Sequence, residues 1–398
     1  MMRRRALLAP LAAWLAALAL LTGACGGDLT SPFAAVAVTY DAGKHQYKLA
    51  QVQVTTLNGS LRHLQGSSGT VRAGGSVRVV EAAIAQKGAT VAALRAQFIT
   101  APPQEVNLSW SVLNDIVYPE DFASLELLSG YYNLEKARLK FQGDFGLATL
   151  PAMPIVAHAA VLDDGGLNPI ATGELYYPPL ATFFFPVASS SDAQLPLVFN
   201  PGAVAHALAH EAIAQLVWGG ATVAAPETGP AKDPQWNSAR HVARSMAEGL
   251  ADYLGVATTE DTRWFYYSEQ QRAATSALDV IRCGSPDMLQ ALPVDDGVAP
   301  YNPYPLGTVL AGALWEASQG SGVQTIAKGV LAALPDIGAR VAGDASQLNV
   351  ALVLDALAKA AAPDQKNELC GLFLNRFAKL SVTSLPSCSA PVPHQECQ

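Results

Sequence analysis

Two histidines four residues apart, in His206-Ala207-Leu208-Ala209-His210, and two carboxylates at the same spacing, in Glu248-Gly249-Leu250-Ala251-Asp252, are the side chains best suited to chemistry in this sequence. On a helix, positions i and i+4 project from one side, so His206 and His210 can grip a single ion. Glu248 on a second helix would supply a third ligand. Two imidazoles and one carboxylate, with a fourth position open, is the ligand set of a catalytic zinc site. A metal-bound histidine usually donates its other ring N–H to a carboxylate behind it, and Asp252 is placed for that role. With seven histidines in the chain, the His pair alone is a weak sign of metal. The matching pair of carboxylates strengthens it.

The elements needed to position these groups are legible. Asn200-Pro201 reads as an N-cap and first helical residue, and Gly219-Gly220 as a stop, which predicts a helix over about 201–218. A second helix is predicted over about 238–254, closed by Gly255. Upstream, apolar residues at helical spacing predict a helix from Ser124 to Phe141. Thr182 to Pro186 reads as an edge strand, because proline has no N–H for a central ladder. The stretch from Thr262 to Lys379 reads as mostly helical, with breaks at Cys283-Gly284 and over Pro293 to Pro300.

Together these segments resemble the gluzincin metallopeptidases, the thermolysin-like and fungalysin-like group. That family carries His-Glu-x-x-His on one helix and Glu-x-x-x-Asp on the next. The likeness runs from about Leu125 to Lys379 and includes Tyr131-Tyr132 and the Tyr304-to-Trp315 segment. It implies Zn²⁺ held by His206, His210 and Glu248, with Asp252 behind them. It also implies what is missing. The family places a glutamate after the first histidine as general base, and here Ala207 stands there. Loss of a general base costs typically ~10²–10⁴-fold in rate. Where the family stabilises the oxyanion with a histidine, Tyr304 stands, and its phenol is a possible donor. A shifted register starting at His210-Glu211 would put Ala214 in place of the second histidine. Glu211 is therefore a poor replacement for the lost base.

The chain begins with Arg3-Arg4-Arg5, an apolar run from Ala6 to Leu21, and small residues up to Cys25, the pattern of a secretory signal. Leu21-Thr22-Gly23-Ala24-Cys25 resembles a bacterial lipoprotein signal, which implies a lipidated Cys25 and a membrane anchor made of lipid alone. Gly26 rather than Asp after Cys25 points to the outer membrane. The remaining Cys283, Cys370, Cys388 and Cys397 suggest two disulfides, with three pairings open. Half of the 398 residues are apolar and 15% are charged, which excludes a disordered chain. A net charge of −8 with no basic cluster beyond the leader argues against nucleic acid as a partner.

The expected fold is α+β: a leader over 1–24, a β-rich N-terminal domain over 25–110, a zincin-like (gluzincin) lobe over 120–385 whose C-terminal half is mostly helical, and an irregular cysteine-containing tail over 386–398. The expected function is that of an exported lipoprotein in the cell envelope, periplasmic or surface-facing, with a metallopeptidase scaffold that binds a peptide or protein without cutting it. Two alternatives remain open from sequence alone. One is an active peptidase with Glu211 or a substrate group as base; the other is a structural envelope lipoprotein without metal.

Overall fold

A computed structural model describes residues 29, 31–58, 60–78, 99–147, 150–162, 175–177, 180–186, 195–220, 233–264, 277–289, 302–394 and 397. The leader and Cys25 lie outside these. The fold is mixed α/β. No helix among the described residues is long and apolar enough to cross a membrane.

Strands β1 (Phe33–Asp41) and β2 (Gln46–Val54) form an antiparallel hairpin in register over nine residue pairs. They continue through β8 (Ile116–Pro119) to β7 (Trp110–Leu113) in a four-stranded sheet. A second sheet is centred on β9 (Met153–Leu162). Its neighbours are β3 (Gly69–Ala73), β4 (Ser76–Arg78) and β11 (Thr182–Pro186), all parallel to it. Strands β5 (Ile99–Ala101), β6 (Gln104–Glu105) and β10 (Leu175–Tyr177) pair antiparallel outside these.

Two expectations change here. The boundary near 110 does not divide the hydrogen bonding, because β3 and β4 from the N-terminal part are laid directly on β9. The N-terminal strands are also tied to helix α1 (Phe122–Leu139) through a buried carboxylate: Glu135 accepts from the backbone N–H and hydroxyl of both Thr55 and Thr56, at 2.6–3.0 Å. One apolar core runs from Ala35 to Leu385. In addition, β11 is not an edge, since β10 covers its outer side. Pro186 is its last residue and sits beyond a register shift, where no ladder donor is required.

Strand β9 is interrupted at His158, whose φ of 57° is left-handed, and the pairing to β11 skips this residue. Its Nε2 lies 2.7 Å from Oε1 of the buried Glu126 on α1. This hydrogen bond raises the His158 pKa above its usual value, against an opposing effect of partial burial. A raised histidine pKa adds stability that is fully present below about pH 6.5 and disappears as pH rises through the shifted value. The ring is half-exposed, so the effect is below about 1 kcal/mol. His158→Asn, which tolerates the left-handed backbone, is expected to lose stability at about pH 5.5 and match wild type at about pH 8.5. Chemical denaturation at the two pH values checks this, and a deficit confined to high pH would contradict it.

The helical part consists of α2 (Pro201–Trp218), α3 (Pro234–Thr259), α4 (Tyr304–Ser321), α5 (Val323–Val341), α6 (Val350–Ala360) and α7 (Pro363–Arg376). Helix α2 is apolar almost all round and buried along most of its length, as befits a central helix. Cys283 pairs with Cys397 and Cys370 with Cys388. The two disulfides hold the C-terminal tail and belong to an oxidising location outside the cytoplasm.

Candidate metal centre

Helix α2 starts where the sequence says it should. Asn200 Oδ1 accepts from the N–H groups of Gly202 and Ala203 at 2.9 and 3.3 Å, and Pro201 takes the first helical position. The helix ends at Gly219, whose φ is 66°. Helix α3 is capped by Asp233, whose carboxylate accepts from Gln235 and Trp236 N–H. It runs past Gly255 to Thr259, five residues beyond the expected end. Gly255 serves packing rather than termination: a Cβ there would stand 3.2 Å from the Gly202 carbonyl oxygen and 3.1 Å from the Trp264 ring.

That close crossing of α2 and α3 brings the predicted ligands together. One ligand atom from each of His206, His210 and Glu248 lies within 4.8 Å of the others. Nε2 of His206 is 2.9 Å from Nε2 of His210 and 3.5 Å from Oε2 of Glu248, and Nε2 of His210 is 3.7 Å from Oε1 of Glu248. Bonds of roughly 2.0–2.1 Å at tetrahedral angles separate zinc ligands by about 3.3–3.4 Å. The observed spacings bracket that value, so these residues fit a zinc ion.

Asp252 completes the arrangement. Its Oδ1 is 3.0 Å from Nδ1 of His206, and both side chains are almost fully buried. A carboxylate buried this deeply needs a partner. With the proton on Nδ1 facing Asp252, the Nε2 lone pair of His206 is directed at the other donors, which is the tautomer a metal requires. His210 and Glu248 keep 17% and 19% exposure, so the centre opens to solvent on their side.

The indole of Trp264 stands beside His206, with ring centroids 6.1 Å apart. It rests on Gly202, and its carbonyl accepts from Asn200 Nδ2 at 2.7 Å. The cap of α2 and the wall behind its first histidine are thus one unit. Sequence reasoning passed over Trp264; the available signal was a tryptophan opening the aromatic run Trp264-Phe265-Tyr266-Tyr267 just after the ligand helix. Trp218 and Trp315 pack against the core, as expected.

Helix α4 meets α3 backbone to backbone beside Glu248. A Cβ on Gly249 would lie 2.4 Å from the Gly307 carbonyl oxygen and 2.9 Å from its Cα. Such contacts cannot be relieved by moving a side chain, and overpacking of this kind costs about 1–3 kcal/mol or more. Gly249→Ala is therefore expected to destabilise by at least that much, read from thermal or denaturant unfolding. A variant as stable as wild type would contradict the crossing described here.

The other candidates fall elsewhere. Ala207 is fully buried in the core and offers no proton acceptor. Glu211 is also fully buried; Gln215 donates to its Oε1 at 2.8 Å, and its charge acts on Arg138 of α1. It belongs to the α1 side of α2, not to the three donors. Tyr304 opens α4 one turn before the Gly307 contact and is 38% exposed. His45, His63, His241 and His394 make separate structural contacts, with Asp261, the Val106 and Leu289 carbonyls, and Glu368 respectively. The sequence matches no protein-family model and no curated protein.

Proposed function

We propose that this chain holds one zinc ion between α2 and α3 on His206, His210 and Glu248, in a gluzincin-like scaffold without its general base, and binds a peptide or protein there without cutting it. The observation that carries this reading is the convergence of three ligand-type atoms from two helices, backed by the buried Asp252. Zinc at this position supplies Lewis-acid polarisation of a ligand oxygen. The chain's own residues do the rest. His206 and His210 present neutral lone pairs, and Asp252 keeps the proton of His206 on the far side of the ring. Ala207 can take no proton, so the step that hydrolysis needs has no acceptor at that position.

The two disulfides support export. The leader pattern supports a lipid anchor on Cys25 and a place at the outer membrane. The net charge of −8 favours a protein or peptide ligand over nucleic acid.

A zinc-loaded sample assayed on a mixed peptide library is expected to show no zinc-dependent cleavage. Efficient cleavage abolished by a chelator would overturn the proposal. Ala207→Glu is expected to introduce weak peptidase activity, because a positioned base contributes ~10²–10⁴-fold. Glu211→Gln is expected to change nothing in that assay. Cleavage by the wild type that disappears in Glu211→Gln would establish a displaced base instead.

A further inference from the structure

Glu248 stands at one end of a half-exposed strip of α3 made of Arg240, Ala243, Arg244 and Ala247. Helix α4 packs on a different face, against Ser245 and Gly249, and leaves this strip uncovered by α4. Arg244 is one turn and Arg240 two turns from Glu248, or about 6 and 12 Å along the axis. The alanines between them keep the helix surface low. Glu248 and Asp252 together neutralise a dication, so the positive charge of this face comes from its two arginines. A guanidinium pairs with a carboxylate through two parallel hydrogen bonds, which makes it selective for planar anions.

We propose that the strip is the recognition surface for an anionic ligand: a short peptide whose terminal carboxylate pairs with Arg244, with Arg240 adding charge beyond it, while another oxygen of the same peptide faces the metal centre. The inference rests on the zinc reading above and adds the chemical class of the ligand.

The test is isothermal titration of the purified zinc-loaded protein with N-acetyl-triglycine and with its C-terminal amide, zinc content being measured on the same sample. The expected result is that the acid binds at least ~10-fold more tightly than the amide. Arg244→Gln is expected to bring that ratio close to one with zinc content unchanged, and Arg244→Lys to give an intermediate ratio. Full zinc content with acid and amide binding alike, or binding neither, would overturn the ligand assignment alone, as would an unchanged ratio in Arg244→Gln. A wild-type protein without zinc would overturn the metal reading itself, and this inference with it.

Discussion

Replacing Cys283 and Cys397 with serine is expected to lower the stability of the folded chain by about 4–5 kcal/mol, more than any single side-chain substitution proposed above. The two cysteines are 114 residues apart in sequence, and the bond between them joins the segment before α4 to the end of the tail. In the chain-entropy account, a cross-link restricts the unfolded chain more when it closes a longer loop. The Cys370–Cys388 bond spans only 18 residues and is expected to contribute about 3 kcal/mol. Its loss is also buffered by other ties: Val392 N–H donates to the Asn367 carbonyl at 2.9 Å and Ser387 N–H to Asp355 Oδ1 at 2.7 Å. Denaturant unfolding of the two double-serine variants checks the order. A larger loss for the Cys370–Cys388 pair would show that local packing, rather than loop length, governs this tail.

Removal of the metal is the second large effect. An ion that binds the folded chain and not the unfolded one stabilises by an amount set by its concentration over its dissociation constant, about 4 kcal/mol at a thousandfold ratio. Zinc between α2 and α3 would join two core helices at their crossing, so its removal should loosen the centre of the molecule. A chelator is expected to lower the melting temperature of the wild type by several degrees. It should have no effect on His206→Ala. An unchanged wild-type melting curve would favour the reading of these histidines as structural residues without metal.

The ligand set was legible because the chemistry is local. His206 and His210, like Glu248 and Asp252, share a face through helical spacing alone, and Asn200-Pro201 and Gly219 fix the register of the first helix. The crossing that joins the two pairs was not legible. It depends on Gly202 and Gly255 meeting around Trp264, and on Gly249 meeting Gly307, contacts between residues far apart in sequence. Gly255 was read as a helix end because a glycine that terminates a helix and a glycine that admits a neighbour look the same in one dimension. Pro186 misled in a similar way, since a proline at the last residue of a strand carries the same letter as one on an edge. The domain boundary was drawn from a change in composition. What decides it is the parallel pairing of β3 and β4 with β9, which no local pattern encodes.

The most direct test of the metal centre is the zinc content of purified protein lacking the leader and Cys25, measured beside His206→Ala. One zinc per chain, lost in the variant, is the expected result. No zinc in either protein, or equal zinc in both, would contradict a centre built on His206, His210 and Glu248.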